Sequence, residues 1–168
     1  MWIVLRDLTA NKDIIKELPT ADLQLENGHE YIIVDYDSVL EPGEFDSITK
    51  LNEFLHFCEE HDIDEDVLAI LSQVYFYKEV VESVMGENYT IINFTDETVN
   101  WNYGHGGNHN AEDMGRCLFE CGCYLPPFEV TKEMKDWIDW SNAWTDANGN
   151  QGWTTASYKG KLYLVRKG

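Results

Sequence analysis

Three groups of residues in this 168-residue chain have types and spacings that could support chemistry. His105, His109, Cys117, Cys121 and Cys123 give His-x3-His followed by Cys-x3-Cys-x-Cys, enough soft ligands for a tetrahedral zinc ion. That spacing fits no common finger or ribbon. Cys117 and Cys121 also share one face of an expected helix, where thiols pack as small apolar groups, so buried, reduced cysteines without metal are the expectation. Asp62, Asp64 and Asp66 of the run DIDED have the spacing of the first half of a calcium loop. Val67 stands where that loop needs glycine, and Gln73 where a bidentate glutamate would close it. Acidic capping of a helix start explains the run better. The neighbours Glu59/Glu60 and Glu112/Asp113 could serve acid–base catalysis, but thirty-one carboxylates produce adjacent pairs by chance. The sequence carries no nucleophile elbow, phosphate loop, dinucleotide fingerprint or H-E-x-x-H pair. The expectation is a protein that is not an enzyme and needs no cofactor.

What the sequence does carry is charge. Twelve basic against thirty-one acidic residues give a net charge of −19. Residues 21–70 hold fifteen acids and one base, Lys50, whereas the last eighteen residues hold four bases (Lys159, Lys161, Arg166, Lys167) and no acid. Such an excess repels nucleic acid and anionic membrane and favours a basic partner, although solubility or a salty cytoplasm would account for it more simply. An apolar fraction of 43% supplies ample core, and no apolar run approaches a bilayer span. Arg6 and Asp7 cut short the apolar N-terminus, so the expected location is the cytoplasm where the chain is made.

The elements that must position these charges read as mixed α and β. "WIVL" (Trp2–Leu5) reads as a strand and "NKDIIKEL" (Asn11–Leu18) as a short helix stopped by Pro19. "ADLQL" (Ala21–Leu25) and "EYIIVDYD" (Glu30–Asp37) read as further strands. Ile48, Leu51, Phe54, Leu55 and Cys58 recur at helical spacing behind an N-cap at Asp46 or Ser47. Asp62 or Asp64 caps a second helix, and "YKEVVESVM" is a third, ended by Gly86. "YTIINF" (Tyr89–Phe94) returns to strand, and a helix is expected from Ala111 to Cys121 after the Gly/Asn-rich loop Asn100–Asn110. The closing hairpin turns at Lys159-Gly160. The expected architecture is α/β (α+β) and elongated, with three small units in series: 1–45 sheet plus helix, 46–87 helical, and 88–168 α+β.

Duplex DNA carries one negative charge per about 1.7 Å of axis, so nineteen charges match roughly 32 Å of duplex. A compact chain of this length has a radius of gyration of about 15 Å, so its linear charge density is comparable to that of DNA. Carboxylates three or four apart on a helix lie about 5–6 Å from one another, near the spacing of phosphates along a strand. Glu59, Glu60, Asp62, Asp64, Glu65, Asp66, Glu79 and Glu82 could form such a stripe.

In order along the chain, "EYIIVDYDS" with "FDSITKLNEFL", then "YTIINFTDE", "AEDMGRCLFECGCY", "EVTKEMKDWIDWSNAWTD" and "GWTTASYKGKLYLV" resemble the ArdA antirestriction proteins of plasmids, transposons and phages. The resemblance covers about residues 28–165 and rests on order and pattern rather than one invariant motif. It implies a dimeric, elongated DNA mimic of the bacterial cytoplasm that binds the methyltransferase core of Type I restriction–modification enzymes, with no catalysis, no cofactor and no bound nucleic acid or membrane. Its DNA-like surface would add Asp37, Glu41, Glu44, Asp46, Glu87, Asp96, Glu97, Glu112 and Asp113 to the stripe above. Departures from the family pattern are a short N-terminal unit, an insertion at 100–110, tryptophans in place of the usual tyrosines, and Trp144 and Asp146 in an altered continuation.

The antirestriction segment then corresponds to Trp137-Ile138-Asp139-Trp140 with Ala143 and Trp144. On a helical wheel Met134, Trp137, Ile138, Trp140 and Trp144 span roughly 160°, wider than the stripe of about 100° that one core face needs. One edge of the arc is expected to close its own core and the other, Trp140 with Trp144, to meet a second subunit; alternatively all three tryptophans fill one core. Alternative functions are a mimic aimed at another DNA-binding defence system such as a CRISPR effector or at a nucleoid protein, a zinc-binding module, or a small hydrolase.

Overall fold

The computed structural model describes residues 1–98 and 110–168 and divides into two compact units, Met1–Asn88 and Tyr89–Gly168. In the first, strands β1 (Trp2–Asp7), β2 (Lys12–Glu17) and β3 (Tyr31–Asp37) form an antiparallel sheet in the order β2-β1-β3. The alternation of β1 turns Ile3, Leu5 and Asp7 inward, all fully buried. Helices α1 (Ile48–Glu60), α2 (Glu65–Ser72) and α3 (Tyr77–Met85) complete the unit, and Leu51, Phe54, Leu71, Val80 and Val84 are buried with them. Ser47 and Asp64 are the N-caps of α1 and α2, each accepting a backbone N–H, and Gly86 ends α3. Asn52 of α1 reaches the loop after β2: its Oδ1 accepts the Thr20 N–H (2.8 Å) and its Nδ2 donates to the Thr20 carbonyl (3.0 Å).

Two expectations for this unit are corrected. Asn11–Leu18 is not a helix but mostly strand β2, in register with β1 so that Arg6 faces Asp13 and Val4 faces Ile15. A helix of eight residues is marginal without packing, whereas Ile14 and Ile15 suit a strand and the Arg6–Asp13 ion pair (2.9 Å) fastens the ladder. Ala21–Leu25 is not a strand; it runs as irregular backbone into the Asn27-Gly28 turn.

In the second unit β4 (Tyr89–Asn93), β5 (Thr154–Tyr158) and β6 (Lys161–Lys167) form an antiparallel sheet in the order β4-β6-β5. Lys159 (φ 48°) and Gly160 (φ 75°) make the two-residue turn whose twist suits a hairpin. A short helix α4 (Phe94–Thr98) follows β4 directly, where the sequence suggested only the end of a strand. Helices α5 (Ala111–Glu120) and α6 (Trp140–Asn150) close a core of Ile92, Phe94, Met114, Cys117, Leu118, Ala147, Trp153 and Leu164. Among the described residues, no helix is long and apolar enough to cross a membrane.

Candidate functional site

The fifteen carboxylates of residues 21–70 all reach solvent. Thirteen are exposed; Asp46 and Asp66 are half-buried. Asp37 ends β3, and Glu41 and Glu44 lie exposed on the connection to α1. Local folding explains part of the set. Asp64 caps α2 by accepting the Asp66 N–H at 2.8 Å, and Glu65 and Asp66 stand in that helix's first turn, where its positive end favours them. The DIDED run is thus built as a helix start.

Glu59 and Glu60 are different. They close α1, at the helix end where the backbone dipole disfavours negative charge, and no basic residue shares that turn. All three helices of this unit lack a basic residue in the last turn, and α1 lacks an acidic one in the first. The charge pattern on α1 therefore opposes the one that would stabilise the helix. Asp62 follows at a left-handed φ of 50°, exposed, and Glu82 and Glu87 are exposed on and after α3; Glu79 is half-buried and its Oε2 accepts the Phe76 N–H. In the second unit Asp96 is engaged by Lys161 (2.7 Å) and Asn93, while Glu97 and Glu112 are exposed and Asp113 is half-buried.

The tryptophan-rich segment is not one continuous helix, which corrects the single helical arc. Lys135–Trp137 form a tight 3-10 turn, Ile138 is extended (φ −84°, ψ 135°), and Asp139 caps α6 by accepting from the N–H and hydroxyl of Ser141. Those hydrogen bonds hold the Asp139 carboxyl below the usual range. The break reorders the aromatic residues. Trp140 is 2% exposed; its indole N–H donates to the Lys135 carbonyl (3.0 Å) and its ring stacks on Phe119 at 4.8 Å. Trp144 packs half-buried against the core of its own unit, and Trp137 is 89% exposed. Trp140 thus belongs to the monomer's interior, and the edge turned to solvent carries Trp137.

Around this segment Lys135 binds both Glu120 oxygens (3.1 and 3.2 Å) and lies 5.5 Å above the Phe119 ring, and Arg116 lies 3.4 Å from Asp136. Two residues that sequence reasoning missed support it. Gly115 lets α5 meet the backbone of α6, and Trp153, outside the segment, is the buried centre of the core. Six tryptophans spread over the chain gave no signal to separate Trp153 from the others.

Cys58 and Cys117 behave as packing residues, whereas Cys121, expected on a buried face with Cys117, is exposed as the residue that ends α5, and Cys123 is half-buried. Cys117 is fully buried and burial pushes its thiol up; burial raises the Cys58 thiol to about 11. Among the described residues no group of three or more His, Cys, Asp or Glu is disposed to hold a metal ion. His105 and His109, with most of the 100–110 loop, lie outside the described residues.

No curated protein matches this chain. The family model for the antirestriction protein ArdA matches residues 1–159, reaching the N-terminus ahead of the segments that carry the resemblance. The chain belongs to the ArdA antirestriction family.

Proposed function

We propose that this protein is an acidic DNA mimic that occupies the DNA-binding cleft of a Type I restriction–modification enzyme and blocks it without catalysis. The observation that carries the reading is the placement of Glu59 and Glu60 at the wrong end of α1 for stability, within a fifty-residue stretch whose fifteen acids all reach solvent beside one base. Charge maintained against the local folding preference is best accounted for by a partner that needs it. Carboxylates displace counterions from a basic cleft as phosphates do, so affinity is shared among many groups and falls steeply with salt.

The active form in this proposal is a homodimer. Trp137, with the exposed Met134 and half-buried Ile138, offers an aromatic anchor of the kind that dominates protein interfaces. Two copies would bring −38, comparable to about 65 Å of duplex.

The test is a competition titration. A Type I methyltransferase core bound to labelled target DNA is challenged with this protein at two salt concentrations. Displacement that weakens steeply with salt is expected. Absence of displacement at low salt by folded protein would overturn the reading and redirect the search to another DNA-binding defence enzyme or a nucleoid protein.

A further inference from the structure

The two most exposed phenylalanines of the acidic unit sit where folding does not ask for them. Phe76 is 85% exposed and is the N-cap residue of α3. A Ser, Thr, Asp or Asn there would bond the helix's free N–H groups, which a phenyl ring cannot do. Its backbone is nevertheless fixed, because its N–H donates to Glu79 Oε2 at 3.1 Å. Phe45 is 82% exposed, on a turn closed twice by its neighbour: the Asp46 N–H donates to the Gly43 carbonyl (3.0 Å) and the Gly43 N–H to Asp46 Oδ2 (2.7 Å). The other Asp46 oxygen lies 3.4 Å from Lys78 Nζ, two residues beyond Phe76. That ion pair ties the turn bearing Phe45 to the helix start bearing Phe76. Tyr77 lines both the hollow beside Phe45, shared with Glu82, and the one beside Phe76, shared with Glu41.

Two rings on pinned backbones, turned to solvent, add little to the stability of their own fold. Their backbones are already fixed, so an outside contact has only the few side-chain torsions of each ring left to order. The surroundings select the occupant. Lys78 pairs with Asp46, and the exposed Glu41, Glu44 and Glu82 outnumber the one further base nearby, Lys50, which lines the hollow beside Phe45. An apolar side chain arriving there would strip water from carboxylates without compensating them. Arginine satisfies both features at once, because its planar, weakly hydrated cation stacks on an aromatic face while its N–H fork binds carboxylate.

We propose that Phe45 and Phe76 are stacking anchors for arginine side chains of the partner's DNA-binding cleft. The proposal rests on the DNA-mimic reading and deepens it: the flanking carboxylates take the place of phosphates, and the rings add a face on which the same arginines stack.

The test is the same displacement titration, run over a salt series with three double variants at positions 45 and 76: Phe→Ala, Phe→Leu and Phe→Trp. Stacking involves no counterion release, so the Ala and Leu pairs are expected to lose about tenfold in affinity at every salt concentration with the parent's salt slope, and the Trp pair to bind as the parent does. Full affinity in the Ala pair overturns the anchor proposal alone. Full affinity in the Leu pair overturns the arginine assignment, since bulk without a π-face would then suffice. A parent that displaces no DNA at low salt overturns the mimic reading and the anchors with it, before any variant is compared.

Discussion

A β-carbon on Gly115 would lie 2.0 Å from the Trp140 carbonyl oxygen and 2.9 Å from the Trp144 nitrogen. The absence of a side chain at this one position of α5 is what lets α6 pack against it. Trp140 is thereby seated over Phe119, and Ala143 and Ala147 are buried on the same helix.

Gly115→Ala should therefore destabilise the second unit. Alanine gains about 1 kcal/mol over glycine in a helix interior. Overpacking costs about 1–3 kcal/mol and occasionally more, and a clash with backbone cannot be relieved by a rotamer change. With a 2.0 Å approach to backbone the cost falls at or above the top of that range, so the expected net loss is about 2 kcal/mol or more, read as a lower urea midpoint. Gly149→Ala, in α6 with nothing within 4 Å of its β-carbon, is the control and should be neutral or slightly stabilising.

Trp137 and Trp140 should separate association from folding. Trp140→Ala empties a buried site and leaves the Lys135 carbonyl without its indole donor, at a cost of about 3–5 kcal/mol. Trp137→Ala removes an exposed ring and should change monomer stability by less than about 0.5 kcal/mol. If Trp137 anchors the dimer, the same variant shifts sedimentation toward the monomer at micromolar concentration. Unchanged sedimentation would place the dimer contact elsewhere.

This pair also shows what the sequence could and could not tell. Helix starts and stops are legible to within a residue or two where one residue type has one dominant use: a cap at Asp46 or Ser47 and another at Asp62 or Asp64, of which Ser47 and Asp64 do the capping, Gly86 as a stop, and Lys159-Gly160 as a hairpin turn. Local signals do not report pairing partners, which is why β2 read as a helix: its pattern becomes a strand only through its register with β1. The tryptophan arc failed for a related reason. A wheel assumes continuous helix, and nothing in Trp137-Ile138-Asp139-Trp140 announces that Ile138 is extended and Asp139 is a cap. The acidic surface needed no such geometry, because thirty-one carboxylates cannot be hidden in a core this size.

Asp7 should set part of the acid limb of stability in the first unit. Burial pushes its carboxyl up, but the hydrogen bond to His29 (2.7 Å) and the Ala10 and Thr9 N–H groups outweigh that, so it titrates below the usual range. A carboxyl with a depressed folded pKa gives stability that is fully present above its unfolded value near 4 and is lost as pH falls through the folded value. Protonation of the other acids meanwhile relieves self-repulsion and acts in the opposite direction. The difference between parent and Asp7→Asn isolates the residue: urea midpoints should lie apart at pH 7 and converge as pH falls below the unfolded value and through the depressed folded one. A constant gap across that range would mean that Asp7 acts by packing alone.

The sharpest test of the acidic surface uses residues that folding and function value oppositely. Glu59→Gln with Glu60→Gln removes two charges from the negative end of α1, where each costs about 0.3–1 kcal/mol at low ionic strength, so the double variant should be slightly more stable than the parent. In the displacement titration it should bind more weakly and with a shallower salt slope, by up to about one unit per charge lost. Asp64→Ala is the converse case, removing both a charge and the α2 cap, and should lose about 1 kcal/mol of stability along with affinity. A protein made more stable and less inhibitory by the same two amides holds those glutamates for its partner. If stability rises while affinity and slope stay fixed, Glu59 and Glu60 lie outside the surface that meets the enzyme.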